Sequence, residues 1–224
     1  MSTDFRLSRL AGHLFAEIAG EEWVIDTGSP ASFGTRTRIS VGDACFSVAP
    51  DYMGLTGTVL TGLVGHPTAG IIGTDILNEF DVLFDESAGR MRFSREKLDL
   101  TGVAVGISDF MGVPVVRVEI DGASHKMFLD TGAQVSYLQD EQLQDYPDAG
   151  VFHDFFPGVG AFETTTHRLP VAVGALAFEL RCGTLPGLLG MTLAMAGTSG
   201  IVGNELFAGR VVGYFPRRRQ LVFA

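Results

Sequence analysis

Two tetrapeptides carry the chemistry of this sequence, Asp26-Thr27-Gly28-Ser29 and Asp130-Thr131-Gly132-Ala133. Each follows an apolar run, Trp23-Val24-Ile25 in one case and Met127-Phe128-Leu129 in the other, so each aspartate stands at the end of a candidate strand. One Asp-Thr-Gly alone is an ordinary turn after a strand, because Asp and Gly both favour turns. Two copies at equivalent points of one chain are far more specific. If the two turns meet, their carboxyls cannot both ionise cheaply, so they share a proton and titrate as a unit. The ionised member takes a proton from a water while the protonated member hydrogen-bonds a carbonyl. A carboxyl then returns a proton to the departing nitrogen, which is general acid–base hydrolysis of an amide.

The self-similarity extends beyond the tetrapeptides. Ile71-Ile72-Gly73 recurs as Ile201-Val202-Gly203, and from there the match runs without a gap to the end, setting Val82 against Val212, Phe84 against Tyr214 and Phe93 against Phe223. The chain is a tandem duplication. Thr27 and Thr131 offer hydroxyls that could brace their loops and donate across an interface, and Gly28 and Gly132 remove side chains where two loops must approach. Gly73 and Gly203 let the apolar segments before them pack close to those loops. Alternating runs at 13–20 and 113–122 read as hairpins feeding the strands. Short helices are expected at 74–80 and 204–210, with Thr74 and Asn204 as N-caps, and a third at 139–146, stopped by Pro147. The reading is all-β in class, mostly strand with a few short helices, in two lobes of residues 1–98 and 99–224 joined through the polar connector 95–102.

Composition narrows the function. With 224 residues, 46% of them hydrophobic and 19% charged, the chain has ample material for a core. A net charge of −10 disfavours nucleic acid or an anionic membrane as the main partner. Cys45 and Cys182 have no metal-ligand spacing and make no disulfide framework, which fits a reducing compartment. Asp4, Arg6, Arg9 and Glu17 interrupt any signal-like apolar stretch, so a cytoplasmic location is expected. The uncharged stretches 52–74 and 182–204 are broken by Gly, Pro, Ser and Thr and do not read as membrane spans. The five histidines form no His-Glu-x-x-His, and Ser29 and Ser136 have no accompanying base motif, so neither a metal nor a cofactor is expected. Arg217-Arg218-Arg219 reads as a solvated hairpin turn.

The paired motifs resemble those of aspartic proteases of the pepsin and retropepsin type, over nearly the whole chain from about residue 12 to 224. Ser29 in the fourth position is similar to pepsins and Ala133 to retropepsins, and the segment Gly70 to Phe80 resembles the retropepsin segment that ends in its helix. The chain is much shorter than pepsins, and each half is close to a retropepsin subunit in scale. The resemblance implies a bilobal acid-protease fold of two retropepsin-like lobes related by a pseudo-twofold axis. It implies a monomeric endopeptidase acting on extended polypeptide. Asp26 and Asp130 would be the catalytic pair, Thr27 and Thr131 an interlocking bridge, and Gly28, Ser29, Gly132, Ala133, Gly73 and Gly203 the supports of the active loops. A peptide-binding or scaffold protein without turnover is the alternative, and the presence of both aspartates favours the enzyme.

The second half carries 26 more residues than the first between its Asp-Thr-Gly and its later glycine signature. Gly42 aligns with Gly174, which places the excess between Asp130 and Gly174. It includes Asp154-Phe155-Phe156-Pro157-Gly158-Val159-Gly160-Ala161-Phe162, a credible hairpin tip. This run resembles the glycine-rich retropepsin flap, so Phe156, Gly158, Val159, Gly160 and Phe162 are candidate flap and substrate-binding residues. Pepsins carry their flap in the N-terminal lobe, with a tyrosine near the tip; here the flap is expected from the C-terminal lobe, without one. Tyr52-Met53-Gly54 is assigned to the lobe core. Ser29 is expected to hydrogen-bond an ionised carboxylate and lower the pKa of the pair.

Overall fold

The computed structural model describes residues 2–156 and 159–224, the side chain of Leu188 excepted. Its backbone is mostly β, in two lobes built on one shared antiparallel sheet. Across that sheet the strands run Ser2–Leu10, Arg90–Ser94, Asp81–Asp85, Val211–Phe215, Gln220–Phe223 and Val103–Phe110. The central pair sets Val82 opposite Tyr214 and Phe84 opposite Val212. These four residues are the ones the duplication equates crosswise, and antiparallel pairing of equivalent strands generates a local twofold axis. Val82, Phe84, Met91, Phe93, Val212, Tyr214, Leu221 and Phe223 bury one face of the sheet, in the alternation that a half-covered strand requires.

Each half then threads the same path. In the first, the hairpin of His13–Ile18 and Glu21–Ile25 ends at Asp26, and Gly70–Ile72 returns between Glu21–Ile25, to which it is parallel, and Phe33–Gly34, to which it is antiparallel. In the second, Val113–Ile120 and Ala123–Leu129 end at Asp130, and Gly200–Val202 returns between Ala123–Leu129 and Ser136–Leu138. The returning strands are paired on both edges, and all of their residues are buried.

The helices differ from the sequence expectation. Thr74–Leu77 is a single turn and Asn204–Phe207 a 3₁₀ turn, capped by Gly73 and Gly203 rather than by Thr74 and Asn204. The two side chains are used elsewhere: Thr74 Oγ1 donates to Ser29 O (3.2 Å), and Asn204 Nδ2 donates to Gly12 O (2.9 Å) and Thr131 O (3.2 Å). The expected helix near 139–146 is a 3₁₀ turn at Glu141–Asp145, capped by Asp140. Two longer helices, Gly57–Val64 and Gly187–Met195, lie inside the uncharged stretches. With few polar residues to mark an outer face, those stretches give no helical periodicity to read. Among the described residues no helix is long and apolar enough to cross a membrane.

Arg217 and Arg218 are not merely solvated. Both clamp Asp81, which is buried; Arg217 Nη2 donates to Asp81 Oδ1 (2.9 Å), Arg218 Nη1 donates to Oδ2, and Leu98 N–H also donates to Oδ2 (2.9 Å). The 26-residue excess forms a long hairpin of Asp148–Phe156 and Gly160–Val173, paired from Asp148 with His167 to Phe156 with Gly160. Gly158 lies outside the described residues. The first half has only short counterparts there, the four-residue strands Arg38–Val41 and Ala44–Ser47 and the two-residue strands Asp51–Tyr52 and Leu55–Thr56.

Candidate active site

The two returning strands fix the aspartate backbones. Asp26 N–H donates to Ile72 O (3.0 Å) and Asp130 N–H to Val202 O (2.9 Å), so each carboxyl projects from the end of a strand paired on its far side. Asp26 Oδ1 then accepts from Gly28 N–H (2.8 Å) and Ser29 N–H (3.0 Å), and Asp130 Oδ1 from Gly132 N–H (2.8 Å) and Ala133 N–H (3.1 Å). The fourth residue of each motif therefore acts through its backbone, and Ser29 does not act as the sequence suggested. Its hydroxyl donates to Ala31 O (2.8 Å), turned away from the pair.

The loops interlock through the threonines. Thr27 N–H donates to Thr131 Oγ1 and Thr131 N–H to Thr27 Oγ1, both at 3.0 Å. The same hydroxyls donate onward, Thr27 to Leu129 O (2.6 Å) and Thr131 to Ile25 O (2.7 Å). Both threonines are fully buried, so every hydroxyl and amide in the lattice has its partner. Gly28 and Gly132 permit the approach, since a Cβ on either would collide with the aspartate of the opposite loop. Gly73 and Gly203 pass against backbone instead; a Cβ on Gly73 would meet Ser29 O at 2.7 Å, and one on Gly203 would meet Val135 O at 2.6 Å. Ser32 and Ser136 fasten these two glycines by accepting from their N–H groups, at 2.9 and 3.0 Å.

The result is two half-buried carboxyls facing one another across the interlocked loops. Burial raises the pKa of Asp26. It raises that of Asp130 well above the carboxylate range, where the charge on Asp26 and the hydrogen bond to it add to the shift. The two carboxyls thus share a proton and titrate as a unit. Two further groups stand beside the pair, and neither has a local sequence signature. His13 Nδ1–H donates to Gly132 O (2.9 Å), which leaves Nε2 to accept from the Gln134 amide (2.8 Å), and burial lowers its pKa. Asp154, on the long hairpin, accepts from the Tyr137 hydroxyl and from Phe155 N–H (2.8 Å), and burial raises its pKa as well.

A cavity of about 200 Å³ opens over the dyad. Gly28, Ser29, Gly132 and Ala133 line it with both aspartates, as do Phe156 and Phe162 of the long hairpin. Val159 and Gly160 sit at the end of that hairpin, exposed and outside the lining. The first half also reaches the cavity, through Tyr52 and Met53. Met53 is 64% exposed at the turn between two short strands, so Tyr52-Met53-Gly54 is a small hairpin at the rim of the cleft, of which only Tyr52 packs on the lobe core, stacked on Phe33.

No family model matches the sequence, and no curated protein matches it. Among solved structures, the crystal structure of basic 7S globulin from soybean is similar, with a TM-score of 0.56 and 11% identity over 100% of this chain and 94% of that one. The likeness is one of fold. It corrects the family assignment that the Asp-Thr-Gly motifs suggested: at this identity the bilobal acid-protease architecture is shared, and membership of the pepsin and retropepsin proteases does not follow.

Proposed function

We propose that the cleft binds an extended polypeptide segment and hydrolyses one of its peptide bonds. The observation that carries this is the facing pair of half-buried carboxyls, each held by two backbone N–H groups. Asp26 takes a proton from a water as its oxygen adds to the carbonyl carbon, and Asp130 donates to the carbonyl oxygen. The resulting tetrahedral diol collapses as the C–N bond breaks and a carboxyl protonates the leaving nitrogen. The protein acts as a monomer, because one chain supplies both carboxyls, and it needs no cofactor. The long hairpin excludes water over the cleft.

The test is hydrolysis of a mixed peptide library between pH 3 and 8, with products mapped by mass spectrometry. Asp26→Asn and Asp130→Asn are each expected to lower turnover by about 10³-fold or more, since the two groups act as a unit. Turnover at the wild-type rate in either variant would remove the peptidase reading. A second reading, peptide binding without turnover, draws on the hairpin residues Asp154, Phe155 and Phe156 that line the cleft beside the dyad. Saturable peptide binding with no product at any pH would favour it.

A further inference from the structure

Apolar pockets flank the dyad on both sides. In the first half, Val24, Phe33, Leu55, Leu60 and Ile71 belong to one buried cluster and line the cavity; in the second, Tyr137, Leu185 and Ile201 are the counterpart. The Phe155 ring belongs to the second half by sequence, yet it packs on the cluster of the first. Successive residues of a strand project to opposite faces, and Asp154 and Phe155 both line the cavity. The end of Asp148–Phe156 therefore stands within the cleft, with Asp154 turned to Tyr137 of its own half and Phe155 to the apolar pocket across the dyad. The pocket wall is almost entirely buried and Phe155 is half-buried, so the ring covers that wall on its cleft side.

We propose that Phe155 stands in the place of a substrate side chain: the pocket of the first half is the subsite for an aromatic or large aliphatic residue, and the chain's own phenylalanine fills it until a peptide displaces it. The inference rests on the cleft being a peptide site and adds how that site is kept closed. Phe155 N–H and the Tyr137 hydroxyl both bond Asp154, so the position of the ring is tied to that carboxyl. A peptide then meets a site whose competent state is only a fraction of the population, and its apparent affinity falls by that fraction. The closed form also hides apolar surface that would otherwise be exposed beside the dyad.

Binding is best read in the Asp26→Asn background, where hydrolysis does not intervene, by fluorescence polarisation of a labelled Ala-Ala-Phe-Phe-Ala-Ala peptide. Adding Phe155→Ala is expected to tighten binding at least about tenfold, and Tyr137→Phe, which keeps the ring and removes the hydroxyl, about threefold. Circular dichroism checks the fold of each variant. If Phe155→Ala does not fold, Phe155→Leu carries the same test, with an expected gain of about threefold. Unchanged or weaker binding, or no binding by either protein, overturns the proposal. Tighter binding by Phe155→Ala together with no hydrolysis by the wild type removes the peptidase reading and leaves the subsite standing.

Discussion

Asp26 and Asp130 receive nearly identical sets of backbone hydrogen bonds, so the difference between them comes from the pair itself: whichever carboxyl ionises first holds the proton on the other. The sign of the consequence for stability follows directly. A carboxyl whose pKa is raised on folding binds its proton more tightly in the native state, so stability falls as pH rises from the ordinary carboxylate range through the folded pKa. Asp130→Asn removes the titrating group and keeps its shape. It is expected to melt about 2–4 °C above wild type at pH 8, the effect of ~1 kcal/mol in a chain of this size. At pH 3, below the ordinary carboxylate range, the two should melt together; a gain at pH 3 equal to that at pH 8 would contradict the shared proton. The aspartates were legible in the sequence because identity and position both survive in two copies. His13 and Asp154 were not, since each matters only through groups more than 100 residues away in sequence or on another strand, namely Gly132 for His13 and Tyr137 for Asp154.

At the scale of elements, the threonine exchange turns two loops into one unit. Each hydroxyl accepts from the opposite loop and donates to the strand that leads into that same loop, so deleting one leaves both a buried amide and a buried carbonyl without that partner. Thr27→Ala should cost ~2–4 kcal/mol by urea denaturation, whereas Thr27→Ser, which keeps the oxygen, should cost less than about 1 kcal/mol beyond the lost methyl. Equal losses in the two variants would mean that the methyl group's packing, rather than the hydrogen bonds, holds the loops. The strands around these loops were readable from alternation and from the repeated apolar triplets. The helices Gly57–Val64 and Gly187–Met195 were not, because segments so poor in charge give no amphipathic stripe and contain glycines that read as turns. Their placement is decided by the pockets they close, through Leu60 and Val64 in one lobe and Leu189 and Leu193 in the other.

At the scale of the whole molecule, the halves are joined by pairing and by charge. The strands Asp81–Asp85 and Val211–Phe215 meet at the local twofold axis, and beside that seam Arg217 and Arg218 of the second half hold Asp81 of the first. Asp81 is only 1% exposed, so its carboxyl depends on those two cations and the Leu98 N–H for its partners. Asp81→Ala is expected to cost ~3 kcal/mol in chemical denaturation and to loosen the seam, seen as faster amide exchange at Leu83 and Gly213. Protection unchanged at both residues would show that the strand pairing holds without the clamp. The duplication made this twofold architecture visible from sequence, but the asymmetry between the lobes matters as much. A twofold-symmetric cleft reads a chain equally well in either direction, whereas a peptide has an N-terminus and a C-terminus that are chemically distinct. Since Gly160–Val173 and Asp148–Phe156 overhang the dyad from one side, against strands of two residues on the other, the groove has a heading. A bound segment would have one preferred orientation, fixed by which of its ends lies beneath the long hairpin.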